Sequence, residues 1–249
     1  DLTVDNINTT SINSGQASGR KNLIINGAMQ VAQRGTSSTS DTYATVDRFF
    51  KFHNDTDESP TQAQVDVASG TTPYTLGFRK AFKITNGNQT SGAGAADVIE
   101  ILTRLEAQDI ANSGWNYLSS SSFITLSFWV KSSVAQNFFG HIQTTDGTAQ
   151  NYPFETGSLT ADTWTKITKT ISGNSNLQFD NDNGKGLTIK WQMYRGTNST
   201  GSVSLNAWAA YSSATRTPDQ TSTWYTTNDA TFEVTGVQLE VGSVATDFE

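Results

Sequence analysis

Two histidines, His53 and His141, are the only imidazoles in a chain of 249 residues. Imidazole is the usual general base near neutral pH. Neither stands in a nucleophile or metal motif: the sequence has no Gly-x-Ser-x-Gly elbow and no His-Glu-x-x-His pair. His141 sits in a strand pattern between Phe139 and Ile142, which predicts a structural rather than a catalytic role. Cleaving a glycosidic bond needs instead two carboxyl groups facing each other at roughly 5–9 Å. Asp55, Asp57 and Glu58 share one loop, and Glu100 and Glu106 share one segment. A solvated acidic loop and the exposed face of a strand account for both groups. No catalytic residue is assigned, and the chain is read as a non-enzyme.

Metal chemistry is poorly provided for. With 0 Cys, thiolate sites, disulfides and cysteine nucleophiles are excluded. The stretch DNDNGKG, residues 180–186, puts Asp180 and Asp182 at the first and third positions of an EF-hand loop. Gly184, Lys185 and Trp191 then fall where that loop needs an oxygen ligand, a Gly and a Glu. The stretch predicts instead a tight hairpin turn with Asn183-Gly184 at positive φ. No metal ligand and no cofactor is assigned.

Aromatic rings are the richer resource. A pyranose face stacks on an indole or phenol while nearby amides and carboxylates bond its hydroxyls. Two pairs stand in polar loops, Trp115 and Tyr117, and Trp224 and Tyr225, and a third, Trp208 and Tyr211, alternates with Ala in NAWAAYS. These six residues are the glycan-binding candidates, with packing or a subunit interface as the competing role. Trp129 and Trp191 fall in apolar strands and are expected in the core.

The elements that must position these groups are strands. Charged residues make up only 16% and Gly numbers 20, with Ser, Thr, Asn and Gln abundant, which disfavours long amphipathic helices. The clearest strand is FITLSFWVKSS, residues 123–133. Ile124, Leu126, Phe128 and Val130 share one face, and Phe123, Thr125, Ser127 and Trp129 the other. Similar patterns recur at 46–53, 62–68, 76–85, 97–107, 137–145, 164–172, 187–196, 202–212 and 230–242. One short helix is expected at AQDIANSG, residues 107–114, stopped by Gly114. The fold class is all-β: a jelly-roll β-sandwich of two antiparallel sheets over residues 22–249. Residues 1–21 read as an extended N-terminal tether or oligomerisation segment.

Net charge of -7 argues against nucleic acid as a partner and against an anionic membrane surface. No apolar run of about 18 residues is present, so no membrane insertion is expected. No signal peptide is expected at Asp1, and the lack of Cys suits folding in a reducing cytoplasm.

Five phrases in order carry a resemblance: NLIINGAMQVAQRGT, VDRF, ITLSFWVKSS, DTWTKITKTI and TGVQLEVGSVATDFE. Together they resemble the jelly-roll, carbohydrate-binding-module-like domains of bacteriophage tail-fibre and related virion proteins. The resemblance implies a structural virion protein, made in the host cytoplasm. It implies a homotrimer that contacts other virion proteins and a host-surface polysaccharide. A purely architectural head, neck or tail fibre protein is the alternative, and a glycan-degrading spike a third reading. Such modules commonly hold calcium between a carboxylate after the first Asn-Gly and an Asp pair in the last strand. Here Gln30 and Gly236-Val237-Gln238 occupy those places, with Glu240 beyond. NLIINGAMQVAQRGT is expected to be the first strand, kinked at Asn26-Gly27, with Leu23 and Ile25 on one face and Arg34 paired to Asp47.

Overall fold

The computed structural model describes residues 21–249 and, ahead of them, the backbone of a two-residue hairpin, β1 (Ser11–Ile12) against β2 (Gly15–Gln16). Apart from that hairpin and Lys21, the expected tether over residues 1–21 lies outside the described residues. The strands that follow are β3 (Ser37–Ser38), β4 (Phe49–Asn54), β5 (Thr61–Asp66), β6 (Lys80–Thr85), β7 (Val98–Glu106) and β8 (Phe123–Ser132). Then come β9 (Asn137–Thr144), β10 (Gln150–Ser158), β11 (Thr165–Ser172), β12 (Lys185–Arg195), β13 (Ala209–Ala210) and β14 (Thr231–Val241). They build a jelly-roll sandwich of two six-stranded sheets. Sheet I runs β13-β10-β9-β12-β7-β4, and sheet II runs β11-β8-β14-β6-β5-β3. Neighbouring strands within both sheets pair antiparallel.

Period-two alternation sends one face of each sheet inward. On β8, Ile124, Leu126, Phe128 and Val130 are all buried, as the alternation predicts. They meet Phe49 of β4, Ile99 and Ile101 of β7 and Trp191 of β12. Trp191 sits at the centre, with Phe128 edge-on at 5.5 Å and Phe49 tilted at 6.4 Å. Each fully buried large apolar side chain contributes about 1.5–3 kcal/mol, so this layer is the main source of stability. A second, smaller apolar cluster lies apart from it. Val67, Phe78 and Ala81 form it, and Trp129, Trp164, Tyr74 and Phe248 pack on them.

The expected helix forms as α2 (Ala107–Ala111). Two further single turns, α1 (Thr72–Thr75) and α3 (Thr223–Thr226), have no amphipathic period to reveal them. Strand β10 also has no clear signature, because Pro153 stands in its middle. The strand expected at 202–212 reduces to the two residues of β13, both exposed. Its Trp, Tyr and Ala alternation has no sheet face to fill. The expected hairpin at 180–186 is not one. The stretch docks on α2, where Ala107 and Gln108 N–H donate to the carbonyls of Gly184 and Asp182. Neither Asn183 nor Gly184 has positive φ, and the Asp182 carboxylate accepts the Gly184 N–H at 2.9 Å instead.

NLIINGAMQVAQRGT forms turns rather than the expected first strand. Asn26 and Met29 adopt φ of 62° and 59°, which breaks any ladder. Ile24 and Met29 are buried, while Ile25 is 41% exposed and Leu23 only packs on the core edge. Leu23 N–H donates to the Leu239 carbonyl, and Gly27 accepts from Val237 N–H, so the segment is pinned on β14. A Cβ on Gly27 would stand 2.0 Å from the Val237 oxygen, so only glycine fits. Arg34 does pair with Asp47, at 3.4 Å.

Strand β14 shifts register between Thr235 and Gln238, around Gly236 at φ +60°. A Cβ there would also lie 2.7 Å from the Phe78 ring. Gly236→Ala is therefore expected to cost about 1–3 kcal/mol in urea unfolding. An unchanged unfolding midpoint would contradict this account of the bulge.

Candidate functional site

The bulge opens one side of a cleft of about 660 Å³ on the outer face of sheet II. Trp129 of β8 forms its floor, because period two turns it away from Phe128 and the core. Cross-strand neighbours Lys166 and Thr235 flank it on β11 and β14. Phe78 and Phe248 form an aromatic wall, edge to face at 5.0 Å. Leu76, 60% exposed, stands at the mouth. Polar groups ring these apolar surfaces: Gln30, Arg79, Ser127, Thr246 and Asp247. Arg79 is held in place, stacked over Tyr74 at 3.9 Å and donating to the Tyr74 carbonyl at 2.8 Å. A half-buried indole among hydroxyl, amide and charged groups can take an amphipathic ring with hydroxyls on its edge. Trp129 was expected in the core, and its position off the apolar face of FITLSFWVKSS was the signal that it is not.

The six aromatic candidates do not converge. Trp115, 3% exposed, and Tyr117 pack with Phe179. Trp224 and Tyr225 are 0% and 1% exposed. The Trp224 indole N–H donates to the Thr231 carbonyl, and Tyr225 lies 4.6 Å from the Tyr194 ring. Those three buried rings present no face to a ligand; packing, the competing role, is what they do here. Trp208 and Tyr211 remain half-exposed. Trp208 packs on Tyr152 and donates to the Ser172 carbonyl at 2.8 Å, while Arg216 stacks on Tyr211.

The carboxylates do not form a hydrolytic pair. Glu100 is buried on sheet I rather than solvated, bonded to Arg195 at 2.6 Å with Lys190 at 3.4 Å. Burial would raise its pKa, but the charges of Lys190 and Arg195 outweigh that and hold it at about 2. Glu106 accepts instead from Gln108 at 2.7 Å. Asp57 and Glu58 cap the loop over residues 88–91, the Asp57 carboxylate taking the Ser91 N–H and Glu58 the Asn88 N–H. His141 is fully buried, and burial, followed by the charge of Lys190, pushes its pKa well below the usual value. It packs inside sheet I, with its Nδ1 3.2 Å from the Gln192 amide nitrogen.

His53 has more suggestive neighbours. Ser59 Oγ is 3.0 Å from its Nε2, and Asp41 Oδ1 is 2.6 Å from its Nδ1. That is the order of a nucleophile, a base and its orienting acid. Two features argue against that role. The Lys51 ammonium, with its side chain fully buried, is 2.7 Å from the same Asp41 oxygen and 3.0 Å from His53 Nδ1. Pro60 follows Ser59 and has no N–H to stabilise an oxyanion. The trio fastens the loop bearing Asp41 to β4.

The place at which the resemblance would put calcium is filled by hydrogen bonds. Glu240 accepts from the Gln238 amide at 2.7 Å, from Thr246 N–H at 2.9 Å and from Thr246 Oγ1 at 2.7 Å. An amide donor aimed at the Glu240 carboxylate does not fit a hard cation, which wants several oxygen ligands. Among the described residues no cluster of three or more acids or histidines stands ready for a metal. Chelation with EDTA is expected to leave Tm unchanged, whereas a drop of several degrees would reveal a bound ion.

No family model matches the chain, and no curated protein matches it. Among solved structures, it is similar to a candidate sugar-binding protein from Bacteroides thetaiotaomicron VPI-5482, at 14% identity and a TM-score of 0.46. It is also similar to a family 4 carbohydrate-binding module, at 13% identity and a TM-score of 0.42. A third is the N-terminal cellulose-binding domain of β-1,4-glucanase C from Cellulomonas fimi, at 10% identity and a TM-score of 0.37. Each match covers 88%, 88% and 87% of this chain in turn, and 99% of the other. With TM-scores this low, the fold rests on the two sheets themselves.

Proposed function

We propose that this chain is a non-enzymatic glycan-binding domain of a bacteriophage virion, of tail-fibre type, with the cleft over Trp129 as its sugar site. One observation carries the site: an accessible indole floors a cleft of about 660 Å³ with Gln30, Arg79, Lys166 and Asp247 around it. The phage setting is supported by the five ordered phrases of the sequence, from NLIINGAMQVAQRGT to TGVQLEVGSVATDFE. In that setting the chain folds in the host cytoplasm, joins the virion as a homotrimer and meets the host polysaccharide from outside. Net charge of -7 favours neither nucleic acid nor an anionic membrane as its partner.

Retention on immobilised host-surface polysaccharide tests the reading, with mass in solution measured alongside. The wild-type protein is expected to be retained as a trimer and Trp129→Ala to pass through. Stable trimers that hold no polysaccharide would leave an architectural head, neck or tail fibre protein. Oligosaccharide released during the incubation would make it a glycan-degrading spike.

A further inference from the structure

A second cleft, of about 570 Å³, opens where the Arg34 loop, the end of β7 and the start of β12 meet. Four of the sixteen Lys and Arg residues of the sequence line it: Arg34, Arg48, Arg104 and Lys185. Only two of the 23 acidic residues do, Asp47 and Glu106. The cleft is thus cationic in a chain of net charge -7. Both acids already have partners, Asp47 within the cleft and Glu106 beside it. Asp47 takes Arg34 at 3.4 Å and the Gln33 N–H at 3.3 Å, and Glu106 takes the Gln108 amide. Among the described residues, no carboxylate lies within ion-pair distance of Arg48, Arg104 or Lys185.

The cations are positioned as well as unpaired. Arg48 is held at φ +72°, an uncommon conformation for a residue with a side chain, and its carbonyl accepts the Thr103 hydroxyl at 2.9 Å. The Arg104 guanidinium lies over the Phe50 ring at 5.0 Å, and Tyr43, which lines the cleft, packs edge-on to Phe50 at 4.6 Å. A guanidinium stacked on a ring keeps its N–H edge free for a planar oxyanion. We propose that this cleft binds the anionic group of an acidic saccharide, a carboxylate or a phosphate, between Arg48, Arg104 and Lys185. The saccharide rests on the glycan reading above; the oxyanion does not.

The test is an NMR titration of the whole chain with glucuronate, inorganic phosphate and a neutral glucose disaccharide. The amides of Arg48, Arg104 and Lys185 are expected to shift with at least one anion and not with the neutral sugar. The shift should weaken as salt rises. Arg104→Gln combined with Lys185→Gln should lower the affinity about ten-fold or more. Both side chains are exposed, so the fold should survive, and an unchanged Tm checks it. A stronger response to glucuronate identifies a uronic-acid ligand, and a stronger one to phosphate a phosphorylated one. No shift with either anion, or undiminished affinity in the double variant, overturns the proposal. Polysaccharide retention that depends on Trp129 would then stand unaffected, which separates the two failures.

Discussion

Glu100→Gln is expected to destabilise the protein by about 3–5 kcal/mol, the usual cost of leaving a buried cation without its partner. The substitution keeps the shape of the side chain and removes only its charge. Arg195 is almost wholly buried and Lys190 only 15% exposed, and Glu100 is the carboxylate both reach. Arg216 adds a further positive field at Lys190 and His141. The same contact should contribute to the acid sensitivity of the fold. The Glu100 carboxyl has an ordinary pKa of 4.5 and is held at about 2 in the folded chain. A depressed folded pKa stabilises at pH values above 4.5, and that stability is lost as pH falls towards 2. The shift corresponds to roughly 3 kcal/mol. Urea unfolding of the two proteins checks both statements. The wild type should lose stability through that window, and Glu100→Gln should be weaker at pH 7 and flatter below it. A loss under about 1 kcal/mol at pH 7 would mean that water already compensates these cations.

Trp129→Ala is expected to lower glycan affinity by about 2 kcal/mol, the scale of an interface hot spot. That is roughly thirty-fold in Kd. Trp129 belongs to the small cluster with Phe78 and Ala81 rather than to the core around Trp191, so its loss should leave the sandwich folded. Trp129→Phe should recover part of the affinity, because a smaller ring still offers a face. Equal binding by the wild type and Trp129→Ala would remove the indole from the site.

Much of the fold was legible because sheets repeat every two residues. β8 announced itself through Ile124, Leu126, Phe128 and Val130, and β7 through Ile99, Ile101 and Leu105. β10 did not, because a proline interrupts it and its hydrogen bonds are made by a polar backbone that no side-chain period marks. The site was harder to read. Trp224 and Tyr225 stand among Thr, Ser and Asn, yet the turn of α3 sends both rings inward and leaves the polar neighbours outside. Polar flanks report what the flanking residues do, not what the rings do. Trp129 was hidden for the opposite reason: its neighbours are apolar, but alternate ones face the other sheet. The cationic cleft joins loops far apart in sequence, and only the packing of the Arg34 loop against β7 and β12 brings them together. The opening NLIINGAMQ shows the same limit, since its apolar run resembles a strand while positive φ at Asn26 and Met29 makes it a pinned turn.

The most direct test follows the six tryptophan indole N–H signals while a host-surface oligosaccharide is titrated into the protein. The Trp129 signal should shift and saturate, and those of the buried Trp191 and Trp224 should stay in place. A saturating shift at Trp208 or Trp115 with Trp129 unmoved would contradict the account and place the sugar on another face of the sandwich.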